Sequence, residues 1–369
     1  METAKKIAVT GANGFIGAHC VLALLEAGFE VVAVVRDPSN PSKTQFLRDE
    51  ASKLQKEDLL SFGAGDLSKE GSYDDALEGT WGVLHTAAVV QLGNVKDAYE
   101  AVVKPAVEGT KIIVDSIKEH SSTIQRFVNV SSVAAVISVD QITDEKIFGD
   151  DDWNTYSTIE KGDAYGYAKT RAEKIVANDE ELAAKIETIV SINPSIVLGP
   201  CFTKSHAIGG GSASIVTAAL TGTPLDLHYM NLVDVRDVAK GAVMAFQQSK
   251  EDVGGNRFIL NATEAVHVDE LSAMIQKVHP SAKGTQTQIP SVVMAVMVWV
   301  GKNLPFFAEW IGYTDYWDAW EARIRLDNSR SKTVLGIGEY TSLEDTCRDA
   351  AVSIEALIGD NDGTSSDKK

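Results

Sequence analysis

The first half of the chain alternates short apolar runs, rich in β-branched residues, with longer stretches of helical periodicity. Helical periodicity occupies residues 15–27, 97–120 and 163–178. Apolar runs that alternate with helices are typical of βαβ units, which build parallel sheets. The pattern therefore predicts the α/β class with a doubly wound parallel sheet. The six predicted strands are Lys6–Thr10, Glu30–Val35, Leu60–Ala64, Gly82–His85, Arg126–Val130 and residues 187–192.

The alternation loosens after Asn193-Pro194. Three consecutive glycines occupy residues 209–211, and they are followed by a strand pattern near 232–235 and a helical pattern near 236–248. Open parallel sheets bind their ligands at the carboxyl ends of the strands. We therefore expect a smaller C-terminal lobe that binds substrate. The polar residues 359–369 are expected to form a disordered tail.

Composition narrows the classes of partner and the compartment. The chain has 52 acidic and 34 basic residues, a formal net charge of -18, which repels a phosphate backbone, so no nucleic-acid partner is expected. The three cysteines, Cys20, Cys201 and Cys347, are far apart, so we expect no metal site and a reducing compartment. No secretory signal precedes the first strand, and the apolar residues 289–300 are fewer than the roughly 20 needed to span a bilayer. We expect a cytoplasmic protein without a membrane span.

A glycine-rich turn follows the first predicted strand and opens the first helix. Gly11 permits the tight turn, Gly14 allows close approach of a pyrophosphate, and Gly17 allows the helix to pack on the strand. The amide groups at the start of the helix favour an anion. The motif predicts a dinucleotide site, and its predicted cofactor-binding residues are Gly11, Asn13, Gly14, Phe15, Ile16 and Gly17.

The end of the second strand indicates which dinucleotide is bound. An NAD-binding chain usually has a carboxylate there for the ribose 2'-hydroxyl, whereas this chain has Arg36. A guanidinium matches a 2'-phosphate, so we expect NADP(H), with Lys43 as a second positive charge. The alternative is that both cations are solvated and that Asp37 contacts the ribose.

Three residues form a candidate catalytic set. Tyr165 and Lys169 are four residues apart in a predicted helix, so they lie on one face. A phenol ionises only well above neutral pH, and a neighbouring cation favours its anionic form. The pair Ser131-Ser132 follows a predicted strand at its carboxyl end, where a hydroxyl can stabilise charge that develops on a carbonyl oxygen.

These motifs resemble the extended short-chain dehydrogenase/reductase superfamily over nearly all of residues 5–355. The chain is most similar to the branch of dihydroflavonol 4-reductase, cinnamoyl-CoA reductase and the microbial aldehyde and methylglyoxal reductases. The motifs that carry the resemblance are the glycine turn and residues 35–38 (VRDP), 65–67 (GDL), 84–88 (LHTAA), 130–132 (VSS), 165–169 (YGYAK), 193–200 (NPSIVLGP) and 233–239 (VDVRDVA).

The resemblance implies a Rossmann domain with a small C-terminal substrate lobe. Residues 1–192 and 233–262 would form the first, and residues 193–232 and 263–358 the second. Ser132 would be the catalytic serine, and Lys169 would also bind the nicotinamide ribose. For the cofactor the resemblance further implies that Arg36 binds the 2'-phosphate, that Asp66 and Leu67 border the adenine, that Ala87 and Ala88 lie against the pyrophosphate and ribose, and that Pro194 and Val197 lie beside the nicotinamide.

The predicted substrate residues are Val90, Gln91, Phe202 and Tyr229. Because this set is largely apolar, it favours a hydrophobic or aromatic carbonyl compound, although each residue could equally serve packing. The apolar segment 290–311 is expected to pack within the lobe, with contact to a membrane surface as the alternative.

The leading hypothesis is an NADPH-dependent reductase of aldehydes or ketones, monomeric or homodimeric, with Tyr165 as general acid. Oxidation by a hydroxysteroid or 3-hydroxy dehydrogenase is an alternative. A nucleotide-sugar epimerase or dehydratase is another, made less favourable because Ala106 stands where many sugar-modifying relatives carry asparagine. A non-catalytic NADP(H) sensor is disfavoured by the complete set Ser132, Tyr165 and Lys169.

Overall fold

The computed structural model describes residues 4–88, 97–225, 229–285, 291–304 and 322–359. The chain divides into two compact units. The sheet unit comprises residues 1–195, 235–261 and 325–340, and the second unit comprises residues 196–234, 262–324 and 341–369. Most of the predicted disordered tail, residues 360–369, lies outside the described residues, whereas Gly359 ends a helix.

The strands and helices are numbered in chain order. The strands are β1 (Lys6–Thr10), β2 (Glu30–Val35), β3 (Leu60–Ala64), β4 (Gly82–His85), β5 (Arg126–Val130), β6 (Ile147–Phe148), β7 (Thr188–Pro194), β8 (Ile196–Leu198), β9 (Tyr229–Met230), β10 (Leu232–Asp234), β11 (Arg257–Leu260), β12 (Val266–His267) and β13 (Arg325–Leu326). The helices are α1 (Phe15–Glu26), α2 (Pro41–Lys53), α3 (Asp74–Leu77), α4 (Lys104–Glu119), α5 (Ala164–Ala177), α6 (Glu180–Lys185), α7 (Lys204–Ile208), α8 (Ser214–Thr221), α9 (Val235–Gln247), α10 (Lys250–Val253), α11 (Val268–Val278), α12 (Ser291–Asn303), α13 (Ser329–Thr333) and α14 (Leu343–Gly359).

Seven strands form one parallel sheet in the order β11-β7-β5-β4-β1-β2-β3. The order reverses direction between β1 and β4, which is the topology of a Rossmann fold. The predicted doubly wound sheet is confirmed. The seventh strand, β11, is not among the six predicted strands, and β7 starts one residue later and ends two residues later than the predicted strand.

The inner strands of the sheet are buried because they are almost continuously apolar, as expected for strands covered by helices, whereas none of the residues of the edge strand β3 is buried. In β1, every residue after Lys6 is buried. Helix α1 packs against α9, whereas α4 packs against α5 and α6. Ile113, Phe127 and Val176 belong to a core that joins the sheet to α4 and α5.

Residues 325–340 belong to the sheet unit, although the sequence analysis assigned them to the substrate lobe. The physical reason is their contact with residues 147–151 of the sheet unit. Strand β13 pairs in parallel with β6, and Arg330 makes two hydrogen bonds with the carboxylate of Asp151. The contacts lie far apart in sequence, so strand periodicity could not reveal them.

The second unit contains two short strand pairs and several helices. Strand β10 pairs in parallel with β8, and β12 pairs antiparallel with β9. Helix α14 packs against α7, α8 and α11, and its Thr346 donates a hydrogen bond of 2.8 Å to Asp234. Residues 291–303 of the apolar segment 290–311 form helix α12. Within the described residues, none of the helices combines the length and the apolar character of a membrane span.

Candidate active site

The carboxyl ends of the central strands meet at one edge of the sheet. Thr10 at the end of β1 pairs with Val34 of β2 and with His85 of β4, and His85 pairs with Asn129 of β5. The loops that follow β1, β4 and β5 therefore lie side by side. This edge includes the point where the strand order reverses, which is where open α/β sheets bind ligands.

The glycine turn lies between β1 and α1. Gly11 has φ +66°, and a Cβ there would be 2.8 Å from Cα of Ala87. A Cβ on Gly17 would overlap the carbonyl oxygen of Gly11. Gly14 is the N-cap of α1 and has no side chain that could accept from the first amides of the helix. The turn therefore presents backbone donors to an open surface.

The residues of this turn are exposed to different degrees. Gly14 is exposed, and Asn13, Phe15 and Ile16 are half-buried. The ring of Phe15 lies edge-on to the ring of His19, with 5.8 Å between their centroids. All of the predicted glycine-turn residues thus lie together at the N-terminus of α1.

The loop after β4 is tied to the end of β1 by threonine side chains. Thr86 Oγ1 donates to the carbonyl of Thr10 at 2.6 Å, and the amide of Ala87 donates to Oγ1 of Thr10 at 3.3 Å. Ala87 is half-buried and Ala88 is exposed. This arrangement places Ala87 directly against Gly11.

Arg36 follows β2 and is exposed. It acts on Asp66, whose pKa is held below its usual range by hydrogen bonds from Ser68 and, to a lesser degree, by Lys69 and Arg36. Burial raises the pKa of Tyr73, and Asp66 adds to that rise while Arg36 opposes it. Arg36, Asp66 and Tyr73 therefore form one cluster at the ends of β2 and β3.

Two further predicted residues lie near Arg36 in the chain, Asp37 as the alternative contact for the ribose and Lys43 as a second charge for the 2'-phosphate. Asp37 accepts hydrogen bonds from the amide of Ser39 at 3.1 Å and from its hydroxyl at 2.6 Å. Lys43 is exposed in the first turn of α2. The carboxylate of Asp37 thus already has local partners, whereas Arg36 faces solvent beside Asp66.

Helix α5 carries Tyr165 and Lys169. Asp163 caps the helix by accepting from the amide of Gly166 at 2.8 Å, and Ser157 donates to the other oxygen of Asp163. Nζ of Lys169 lies 5.9 Å from the centre of the Tyr165 ring. The cap and the helical spacing explain why these two side chains share one face.

Tyr165 and Lys169 line a pocket that lies within the sheet unit. Its wall also includes Ala87 and Ala88 after β4, Leu67 after β3 and Ser131 after β5. Ser132 is half-buried outside this wall, and its Oγ accepts from the amide of Ala134 at 3.2 Å. The structure thus brings together Tyr165, Lys169 and the serine pair's first member, with Ser132 adjacent in the chain.

A buried acidic residue was missed by the sequence analysis. Glu173 follows Lys169 by four residues on α5 and lines the same pocket. Its carboxylate accepts hydrogen bonds from Ser131 at 2.6 Å and from Asn193 at 2.8 Å, and it forms an ion pair with Arg257 at 2.7 Å. Its spacing of four from Lys169 indicates that the two residues share one helix face. The hydrogen-bond partners of Glu173 lie far away in sequence, so the spacing does not reveal them.

The remaining predicted site residues are distributed over both units. Pro194 is buried at the end of β7 in the sheet unit. In the second unit, Val197 is buried in β8, Phe202 is half-buried, and the hydroxyl of Tyr229 accepts a hydrogen bond of 3.0 Å from Arg323. Val90 and Gln91 lie outside the described residues.

Several known proteins are similar to this chain in sequence or in fold. A dihydroflavonol 4-reductase of Arabidopsis thaliana is 33% identical over 268 residues, which cover 70% of this chain and 66% of that protein. A Candida albicans protein named as an NADPH-dependent methylglyoxal reductase is 32% identical over 353 residues, 91% of this chain and 94% of that protein. The crystal structure of yeast methylglyoxal/isovaleraldehyde reductase Gre2 complexed with NADPH has a TM-score of 0.75 and 25% identity, covering 96% of this chain and 99% of that chain.

These relatives confirm the predicted resemblance to the dihydroflavonol reductase and microbial reductase branch. The sequence profile of one family matches residues 8–291, from the third residue of β1 to the first of α12. That match covers well over half of the sequence, so the chain belongs to the 3-beta hydroxysteroid dehydrogenase/isomerase family.

Proposed function

We propose that this chain is an NADPH-dependent reductase of aldehydes and ketones, with Tyr165 as the general acid. The observation that carries the proposal is the pocket in which Tyr165 and Lys169 lie together with Ser131, Ala87 and Ala88. A proton donor, a cation and the dinucleotide turn are thereby adjacent at the switch point of the sheet.

The residues at this edge fit a dinucleotide phosphate. A Cβ on Gly11 would overlap Cα of Ala87, and a Cβ on Gly17 would overlap the carbonyl oxygen of Gly11, so both positions of this tight turn are restricted to glycine. The first amides of α1 would hold the pyrophosphate. Arg36 would hold the 2'-phosphate, with Lys43 adding charge, while Asp66 and Leu67 would border the adenine. The relatives named for NADPH, or crystallised with it, support this assignment.

NADPH, when bound, supplies the hydride that reduces the carbonyl carbon. Tyr165 would give its phenolic proton to the carbonyl oxygen, so the products are the alcohol and a tyrosinate, which regains a proton from solvent. The ammonium of Lys169, 5.9 Å from the centre of the Tyr165 ring, would hold the nicotinamide ribose.

Ser132 would donate a hydrogen bond to the same carbonyl oxygen. Its Oγ accepts from the amide of Ala134, and this uses an oxygen lone pair. The hydroxyl proton therefore stays available for a developing oxyanion.

We further propose that the substrate is hydrophobic or aromatic. Val90, Gln91, Phe202 and Tyr229 would contact the substrate, while Pro194 and Val197 would lie beside the nicotinamide. The apolar character of most of this set supports the proposal.

The test is a panel of aliphatic and aromatic carbonyls assayed with NADPH and with NADH. Tyr165→Phe should lower kcat by about 10²- to 10⁴-fold with the affinity for NADPH retained. Tyr167→Phe is the matched control, since Tyr167 lies two residues further on α5 and is not among the residues that line the pocket. Normal turnover by Tyr165→Phe would show that the mechanism is wrong.

Oxidation of a hydroxysteroid is a second candidate, favoured by the description of the matching family. It predicts faster turnover of a 3-hydroxysteroid with NADP⁺ than of any carbonyl with NADPH. Steady-state assays in both directions with the same protein distinguish the two candidates.

A further inference from the structure

Glu173 is a buried acidic residue of α5, the helix that carries Tyr165 and Lys169. It is 1% exposed, and it lies on α5 four residues after Lys169 and eight after Tyr165. Positions separated by four lie on one face of a helix, and all three residues line the same pocket. A carboxylate is costly to bury without partners, so its contacts indicate what it holds in place.

The carboxylate of Glu173 contacts both the loop that follows β5 and the carboxyl end of β7. Oε2 accepts from the hydroxyl of Ser131 at 2.6 Å and from Nδ2 of Asn193 at 2.8 Å. Nδ2 of Asn193 also donates to the backbone carbonyl of Ser132 at 3.1 Å. Glu173 is therefore connected to Ser132 by two routes, one through the preceding residue and one through Asn193.

Arg257 binds both oxygens of the Glu173 carboxylate, and its Nη2 donates to Oε2 at 3.3 Å. Its Nε donates to Oε1 of Glu173 at 2.7 Å, and its other nitrogens donate to the carbonyls of Asp150, Asp152 and Ala135. The guanidinium also lies over the ring of Trp153, with 3.8 Å to the centroid. Because Arg257 belongs to β11, it anchors the carboxylate to the sheet. The position of the carboxylate is therefore not set by the Ser131-Ser132 loop alone.

We propose that Glu173 is a positioning residue for the reduction. It fixes the Ser131-Ser132 loop and the Asn193-Pro194 end of β7 relative to Tyr165 and Lys169 on its own helix. The inference rests on the proposed function and deepens it, since small displacements of reacting groups reduce the rate strongly.

The Glu173→Gln variant tests the proposal because a carboxamide cannot satisfy all of the donors. An amide oxygen in the place of Oε2 can accept from Ser131, Asn193 and Arg257, but the NH2 group in the place of Oε1 then meets Nε of Arg257. In the reverse orientation the NH2 group meets the donors of Asn193 and Arg257. We expect kcat to fall about tenfold or more while the Kd for NADPH changes by less than about threefold. The control is Asp150→Asn, another buried carboxylate of the sheet unit, which accepts from the amide of Ile259. Asp150→Asn should retain kcat within about twofold.

Ser131→Ala removes one of the two routes and leaves the Glu173 ion pair with Arg257 intact. It keeps the proposal testable if Glu173→Gln does not fold. We expect kcat of Ser131→Ala to fall several-fold. The double variant with Glu173→Gln should be no slower than Glu173→Gln alone, because both changes break the same connection between Ser131 and Glu173. Additive losses, or a Ser131→Ala enzyme with the wild-type kcat, would overturn the proposal.

The assay also separates this inference from the function on which it rests. If the wild type reduces no carbonyl in the panel, the proposed function fails and the positioning role fails with it. If the wild type is active and Glu173→Gln keeps its kcat, the reductase proposal stands and only the role of Glu173 is refuted. A purely structural role predicts lower thermal stability with an unchanged kcat, which also contradicts the proposal.

Discussion

The hydroxyl of Thr10 lies 2.8 Å from Nδ1 of His85 in the interior of the sheet unit. This contact links the last residues of β1 and β4, the two strands between which the sheet reverses its order. Burial lowers the pKa of His85 to about 3, and the positive charge of Lys169 adds to the effect. The partner of His85 is thus the residue that directly precedes the glycine turn.

The pKa of His85 predicts a loss of stability in acid. The folded value of about 3 is below the ordinary value of 6.5, so the unfolded chain binds a proton that the folded chain does not. The contribution of His85 is fully present above pH 6.5 and is lost as the pH falls towards 3, by about 1.4 kcal/mol per pH unit.

The measurement compares urea unfolding of the wild type with that of His85→Gln between pH 7 and pH 4. Glutamine can still hydrogen-bond to Thr10 but does not titrate. The wild type should lose about 3 kcal/mol more than the variant over this range. A difference between the two proteins that does not change with pH would contradict the prediction.

The tight contact between Gly11 and Ala87 predicts that Gly11→Ala is strongly destabilising. The variant has two costs, a side chain at φ +66° and a Cβ 2.8 Å from Cα of Ala87. We expect a loss of about 3 kcal/mol or more in the free energy of unfolding, together with loss of NADPH binding.

Gly79→Ala is the matched control for this overlap. Gly79 has φ +65°, but a Cβ there would have no atom within 4 Å. It should cost only about 1 to 2 kcal/mol, the penalty of the left-handed conformation. Thermal and urea unfolding of both variants separate the conformational cost from the steric cost, and equal losses would refute the importance of the contact with Ala87.

The sheet was largely predictable because most of its strands, such as β1, β2 and β4, are apolar and buried along most of their length. The bounds of β1, β2, β3, β4 and β5 match the predicted strands. Strand β11 has only four residues and starts with Arg257, a charge whose burial depends on Glu173. Helix α2 is mainly polar, with only Thr44, Leu47 and Ala51 buried, so it has little apolar periodicity to detect.

Predictability of the candidate site depended on whether its geometry is local. Tyr165 and Lys169 are related by one helical turn, so their spacing alone predicted a shared face, and both line one pocket. Glu173 has the same spacing, but its meaning depends on Ser131, Asn193 and Arg257, which the fold brings together from three different strand ends. A sequence pattern does not contain such long-range contacts.

The exposed guanidinium of Arg36 predicts the preference between the two nicotinamide cofactors. If Arg36 binds the 2'-phosphate, Arg36→Ala should raise the KM for NADPH by about 10- to 100-fold and leave that for NADH within about threefold. Arg48→Ala is the control, since Arg48 is also exposed but lies over the ring of Phe62 at 4.3 Å. An equal effect of Arg36→Ala on both cofactors would indicate that Arg36 does not contact the phosphate.

Asp150 predicts a pH dependence of opposite sign to that of His85. Burial raises the pKa of Asp150 to about 6 from its ordinary value of 3.8, although the amide of Ile259 and the guanidinium of Arg330 favour the ionised form. The folded chain therefore binds the proton more tightly than the unfolded chain. The stability that Asp150 contributes is fully present below pH 3.8 and is lost as the pH rises through about 6, by about 3 kcal/mol in total.

Asp150→Asn should remove this dependence, because an asparagine oxygen can still accept from the amide of Ile259 and does not titrate. Arg330 keeps its two hydrogen bonds to Asp151 in this variant. Urea unfolding of the wild type, Asp150→Asn, His85→Gln and the double variant at a series of pH values separates the two residues. Relative to Asp150→Asn the wild type should become less stable as the pH rises from 4 to 7, whereas relative to His85→Gln it should become more stable. Both effects occur in the same pH range and partly cancel. A nearly flat wild-type curve is therefore consistent with these two pKa values only if the two single variants diverge from the wild type in opposite directions.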